Sequence, residues 1–196
     1  MYYVYKNIVK LFFRIFYRVH IYGLEYLPRN EAVIIAPNHF SNYDPLVIGA
    51  FCPLKLNTMG KKEIFKNKIL AKILPVMGVF PVDRDANDIG AIKTSLKILK
   101  SNEPLLLFPE GTRNTTNPKI HLDAKPGVSL MAIRSKVKII PVTIDSNYKL
   151  FGRINIEYHN PVVLEKYFGQ KLSTDEYIQI SNEILDLIYE KVELKK

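Results

Sequence analysis

Short continuous apolar runs alternate with longer amphipathic stretches along this chain, and that rhythm predicts strands and helices in turn. Ala32-Val33-Ile34-Ile35-Ala36 and Leu105-Leu106-Leu107-Phe108 are expected as buried strands. Residues 56–59, 79–82, 138–144 and 153–158 read as further strands. Helices are expected from Asp44 to about residue 51, and over 64–74, 89–100 and 128–135. Asp44-Pro45 has the look of a helix N-cap followed by proline at the first helical position. Ser173-Thr174-Asp175-Glu176 carries the capping-box pattern and opens a C-terminal helix to about residue 194. Gly23, Pro28 and Asn30 mark a turn region. Strands alternating with helices predict a single α/β domain, with a mixed, largely parallel sheet flanked by helices.

The N-terminus departs from this rhythm. Residues 1–27 are rich in aromatic and aliphatic side chains, with Lys6, Lys10, Arg14 and Arg18 at every fourth position. On a helix these cations form one stripe. A cation breaks every apolar run, so a spanning helix of about 20 apolar residues is not expected. Nor is a signal peptide, whose charge precedes its apolar core. The segment reads as an amphipathic helix in a membrane interface, with cations toward lipid headgroups and aromatics toward acyl chains. A docked helix whose basic stripe faces water is the alternative. The expected division is therefore 1–27 as a membrane-associating helical segment and 28–196 as the α/β domain.

Composition narrows the partner. The chain has 196 residues and a net charge of +9, which favours an anionic partner: lipid, a phosphorylated substrate or nucleic acid. No recognisable nucleic-acid motif interleaves the basic residues, so nucleic acid is not expected. The single cysteine, Cys52, excludes an internal disulfide and lies in an apolar stretch, where packing is its expected role. No His/Cys cluster has zinc-site spacing, and no metal is expected. Gly-x-Ser-x-Gly, a P-loop, a Rossmann glycine fingerprint and His-Glu-x-x-His are all missing.

The candidate chemistry follows the expected strands, where α/β sheets collect their ligands. After the first run comes Asn38-His39-Phe40-Ser41-Asn42-Tyr43-Asp44. A neutral imidazole suits proton removal near pH 7, and a carboxylate can orient its other nitrogen. Taken alone, the pair reads first as a helix cap beside an ordinary loop histidine. After the second run comes Pro109-Glu110-Gly111-Thr112-Arg113. Arginine binds phosphate bidentately and glycine admits a ligand to the backbone; a solvated turn with an Arg–Glu pair is the alternative. Gly78-Val79-Phe80-Pro81-Val82-Asp83-Arg84 offers a second arginine. Lys125-Pro126-Gly127 either positions a phosphate or begins a helix. Ile140-Pro141-Val142 either lines an acyl channel or lies in a strand.

In this order the segments resemble the 1-acylglycerol-3-phosphate acyltransferase family of glycerolipid acyltransferases. Asn38-His39 through Asp44 looks like its Asn-His-x4-Asp block, and Gly78, Phe80 and Arg84 like its Gly-x-x-Phe-x-x-Arg type block. Phe108 to Arg113 looks like Phe-Pro-Glu-Gly-Thr-Arg, and Ile140-Pro141-Val142 like the apolar-Pro-Val block. The resemblance implies that His39 is the general base and Asp44 its partner. It implies acceptor contacts from Arg84, Glu110, Gly111, Thr112 and Arg113, with Lys61 and Lys125 also facing the acceptor. It further implies transfer of an acyl chain from acyl-coenzyme A or acyl carrier protein to the sn-2 hydroxyl of 1-acylglycerol-3-phosphate, giving phosphatidic acid. No other cofactor is expected. An enzyme on the cytoplasmic face of the cell membrane, docked on anionic lipid, is the expected setting. Another lysolipid or an amine-bearing lipid is the alternative acceptor.

Overall fold

The structure is a computed structural model and describes residues 1–83, 89–117, 119–190 and 192. Its strands are β1 (Arg18–Tyr22), β2 (Val33–Pro37), β3 (Asn57–Lys61), β4 (Val79–Val82), β5 (Leu105–Leu106), β6 (Lys138–Ser146) and β7 (Arg153–Tyr158). They form one seven-stranded sheet in the order β1-β7-β6-β2-β5-β3-β4. The helices are α1 (Tyr2–Phe16), α2 (Asp44–Phe51), α3 (Leu70–Val76), α4 (Ile89–Lys100), α5 (Gly127–Ser135) and α6 (Thr174–Tyr189). The expected α/β domain is thus the one that forms.

Every neighbouring pair is parallel except β6 and β7. β1 and β7 therefore run against the rest of the sheet. The carboxyl ends of β2 through β6 share one edge with the amino ends of β7 and β1. That edge receives the segments after residues 37, 61, 82, 106 and 146, together with the end of α1.

Side-chain alternation in β2 explains the layers. Val33 and Ile35 pack with Phe13 of α1 and with Val47, Ile48 and Phe51 of α2. Ile34 and Ala36 point the other way, onto Leu99 of α4, Met131 and Ala132 of α5 and Ile184 and Leu185 of α6. Val33 through Ala36 are completely buried, as expected for a central strand covered on both faces. Each of the valine and isoleucine side chains contributes about 1.5–3 kcal/mol by leaving water. Ile140 and Val142 belong to the same core, so Ile140-Pro141-Val142 lies in a central strand.

Three local expectations change. The N-terminal helix stops at Phe16, and Arg18–Tyr22 becomes a strand in register with residues 153–157. Short apolar runs fit either state; the open edge of β7 decides, because pairing satisfies backbone groups on both strands. The helix expected over 64–74 divides into a 3-10 turn at Lys62–Lys66 and α3. Asn67 causes the break: its side-chain oxygen accepts from the backbone of Ile69 and Leu70 and starts a new helix. Third, α6 ends at Tyr189, short of the expected residue 194; residues 191 and 193–196 lie outside the described set.

Two cations of the basic stripe also face differently, while Arg14 and Arg18 stay exposed. Lys6 turns into the protein, where its ammonium donates to the Cys52 carbonyl at the end of α2. Burial lowers its pKa. Lys10 sits 5.7 Å over the Phe51 ring. A helix carboxyl end, with its unsatisfied carbonyls and partial negative charge, attracts such cations. The face left in solvent is mostly apolar: Val4, Ile8, Leu11 and Ile15 are all more than half exposed, with Asn7 and Arg14 exposed beside them. Among the described residues no helix is long and apolar enough to cross a membrane.

Candidate active site

The loop leaving β2 is built around Asn38, a buried side chain that imitates a strand residue. Its amide donates to the Ile144 carbonyl at 2.9 Å and accepts from the Ile144 amide at 2.7 Å. This locks the loop to β6 and delivers His39 beside the sheet edge. His39 is 6% exposed, and its ring stacks on Phe108 at 4.1 Å between centroids.

Asp44 closes back onto His39, with Nδ1 lying 2.9 Å from Oδ2. A carboxylate oxygen only accepts, so Nδ1 donates its proton, and in the neutral imidazole this leaves the lone pair on Nε2. The same Oδ2 receives the backbone N–H groups of Phe40 and Ser41, each at 2.7 Å. The expected helix cap is revised: Asp44 is the first helical residue, and Tyr43 occupies the N-cap position without a side-chain bond. Its carboxylate organises the loop ahead of the helix. Oδ1 accepts from the Tyr148 hydroxyl at 2.7 Å.

The turn after β5 meets the first loop through Glu110. Its Oε1 accepts from the His39 backbone at 3.3 Å and from the Tyr189 hydroxyl at 2.6 Å. Its Oε2 is buried and has no hydrogen-bond partner among the described residues. The surface Arg–Glu pair considered for this turn does not form. Burial raises the Glu110 pKa, and the Tyr189 and His39 hydrogen bonds only partly oppose it. Burial and the adjacent carboxylates push Tyr148 and Tyr189 far above the ordinary phenol value, so both remain hydrogen-bond donors.

Gly111 has φ of 66°, and a Cβ there would lie 2.7 Å from Cγ of Lys125. Left-handed backbone and lack of room both favour glycine. The Lys125 amide donates to the Pro109 carbonyl at 2.8 Å, which places this lysine beside the turn. Thr112, Arg113, Lys125 and Lys61 are exposed. Lys61 ends β3, on the same sheet edge. Beside it, Lys62 pairs with Asp83. Arg84 lies outside the described residues.

His39, Asp44 and Glu110 therefore make one bonded cluster, with Gly111 and Lys125 against it and an exposed basic rim. Among the described residues no group of three or more His, Cys, Asp and Glu side chains is arranged to hold a metal ion.

Several participants had no local signal. Tyr148 is 104 residues from Asp44, and Tyr189 is 79 from Glu110. Asn114 holds the loop through its backbone, which donates to the His39 carbonyl at 2.7 Å. His121 sits beside Tyr189 and is bonded to the Leu122 carbonyl and Asp186. Burial pulls its pKa down, but those two acceptors outweigh burial and leave it raised. Tyr148 alone had a positional hint, since it follows the carboxyl end of β6.

A family model described as Acyltransferase matches residues 18–145. A 1-acyl-sn-glycerol-3-phosphate acyltransferase of Streptococcus pneumoniae is 31% identical over 173 residues, 83% of this chain and 63% of its own length. Its namesake from Bacillus subtilis is 32% identical over 142 residues, 72% of this chain and 69% of its own length. The chain thus spans somewhat under two thirds of the first relative and slightly more of the second. The crystal structure of the 1-acyl-sn-glycerophosphate (LPA) acyltransferase PlsC from Thermotoga maritima shares the fold. Its TM-score is 0.73 at 20% identity, over 95% of this chain and 78% of that one.

Proposed function

Because the chain belongs to the Acyltransferase family, we propose that it transfers an acyl chain from an acyl thioester to the sn-2 hydroxyl of 1-acylglycerol-3-phosphate, forming phosphatidic acid. The observation that carries this reading is the buried His39–Asp44 pair at 2.9 Å, joined through the His39 backbone to Glu110. The names of the Streptococcus and Bacillus relatives support the choice of acceptor.

In this reading Nε2 of His39 takes the proton from the acceptor hydroxyl as its oxygen attacks the thioester carbonyl. The tetrahedral intermediate collapses, the C–S bond breaks and the thiolate leaves. The proton held by His39 then passes to the thiolate or to solvent. Asp44 holds the tautomer and stabilises the imidazolium that forms. The acceptor hydroxyl is itself the nucleophile, so no enzyme serine takes part. Positioned base catalysis contributes roughly 10²–10⁴-fold; orientation of the two substrates supplies much of the rest.

The acceptor phosphate is assigned to the basic rim of Arg113, Lys125 and Lys61; Arg84 joins this assignment on the family resemblance alone. An Arg guanidinium grips phosphate as a planar fork, and the lysines add point charge. The donor is acyl-coenzyme A or acyl carrier protein, with no further cofactor. The enzyme works at the cytoplasmic face of the membrane, where the apolar face of α1 meets lipid and the net charge of +9 favours anionic headgroups.

The test is acyl transfer to lysophosphatidic acid in mixed vesicles, with coenzyme A and carrier-protein donors compared. The native protein is expected to produce phosphatidic acid, and folded His39→Ala to produce none. Robust turnover by folded His39→Ala would sink the mechanism. A preference for a different lysolipid or an amine-bearing lipid would sink the acceptor assignment.

A further inference from the structure

Asp44 has no solvent exposure, and its two oxygens are used unequally. Oδ2 takes the His39 ring and the Phe40 and Ser41 amides; among the described residues Oδ1 takes only the Tyr148 hydroxyl, at 2.7 Å. A carboxylate is planar and rigid, so fixing one oxygen fixes the direction of the other.

The Tyr148 hydroxyl is itself closely held. The residue lies in the loop between β6 and β7, in the left-handed region at φ of 49°, with its amide donating to the Ser146 hydroxyl at 3.0 Å. Its ring packs against Tyr43 at 5.3 Å, Phe40 at 5.6 Å and Tyr17 at 6.3 Å between centroids. Nothing in this arrangement needs substrate, and a non-glycine residue at positive φ is unusual enough to call for a reason.

We propose that Tyr148 is a positioning residue for the acyl transfer: it fixes the Asp44 carboxylate so that Oδ2 faces Nδ1 of His39, and it shares the negative charge of that carboxylate. This rests on the reading of His39 as the base. Without the hydroxyl, the buried Oδ1 loses the one donor it has among the described residues. The carboxylate then turns to trade donors, and the imidazole loses its fixed direction. The charge on Asp44, no longer shared, also holds a protonated imidazole more strongly, which removes neutral base at the acid end of the pH range. The titratable groups facing this pair from other elements are Tyr17 ahead of β1, Tyr43 ahead of α2, Glu110 after β5 and Tyr189 on α6. All are retained when only the Tyr148 hydroxyl is removed.

The experiment uses the full chain, lysophosphatidic acid and an acyl-coenzyme A in mixed vesicles. It compares native protein, Tyr148→Phe, Tyr43→Phe, His39→Ala and a protein carrying 3-fluorotyrosine at position 148. Tyr148→Phe is expected to lose between about tenfold and about a hundredfold in kcat, with KM for both substrates unchanged. The acidic limb of its rate–pH profile should move to higher pH. 3-Fluorotyrosine keeps the hydroxyl and strengthens it as a donor, so its acidic limb should move to lower pH; this variant carries the test if Tyr148→Phe does not fold. Tyr43→Phe should match native protein. Native kcat and an unmoved acidic limb in the Tyr148 variants, with His39→Ala inactive, would overturn the positioning role alone. Activity in His39→Ala would overturn the reading beneath it. A fall in melting temperature with kcat per folded enzyme and pH profile unchanged would make Tyr148 merely structural and also overturn the proposal.

Discussion

Glu110 shows what a single buried carboxyl does in this site. One oxygen serves the architecture, accepting from the His39 backbone and the Tyr189 hydroxyl; the other is buried and has no partner among the described residues. Burial raises its pKa above the ordinary carboxyl value of 4.5. A carboxyl whose folded pKa lies above its unfolded one stabilises the fold fully at pH below the unfolded value. That contribution is lost as pH rises through the folded value. Glu110→Gln removes the titration, so its melting temperature relative to native protein should climb as pH rises from about 4 and then level off. Parallel melting curves across that window would argue against a raised Glu110. The residue was legible as part of Phe-Pro-Glu-Gly-Thr-Arg, because its neighbours in sequence are the signal. Its bond to Tyr189 was not, since nothing near residue 110 points to the last turn of α6.

Elements differ in how far local chemistry determined them. α6 begins where the sequence said it should: Ser173 accepts from the Glu176 amide at 3.2 Å, and Glu176 accepts from the Ser173 amide at 2.6 Å. Ser173→Ala should cost about 1 kcal/mol, read as a shift in a urea midpoint at unchanged slope. No loss would mean that the helix end is held by packing alone. α1 is the contrasting case. Its cations mark a stripe in sequence, but only docking against α2 reveals which side that stripe faces. Lys6 goes inward to the Cys52 carbonyl, and the outward face is Val4, Ile8, Leu11 and Ile15. Replacing Ile8 and Leu11 with Asp should abolish vesicle binding while moving stability by less than about 0.5 kcal/mol per site, as for other surface positions. Equal destabilisation and binding loss would place this face against protein instead.

At the scale of the molecule, the sheet edge gathers the site, the basic rim and the end of α1 on one side. Leu150 and Phe151, both more than 60% exposed, lie on that side too, with the Phe151 amide donating to the Phe16 carbonyl at 2.7 Å. With a net charge of +9, binding to anionic vesicles should weaken as salt rises from about 0.05 to about 0.5 M, while the weaker binding to neutral vesicles should hold. Salt-independent binding to both would assign docking to the apolar surface alone. The α/β class, most strands and helices, and the His39, Asp44 and Glu110 positions were legible from the order of residues. These depend on local periodicity, on capping and turn chemistry, and on residue types close together in the chain. Tertiary structure alone decided that 18–22 joins the sheet, that Lys6 points inward, and that Tyr148 and Tyr189 reach Asp44 and Glu110. Each of those outcomes depends on which partner lies across a gap of many tens of residues. A local pattern carries no record of such a partner; burying apolar surface and pairing every buried polar group selects it only when the whole chain folds.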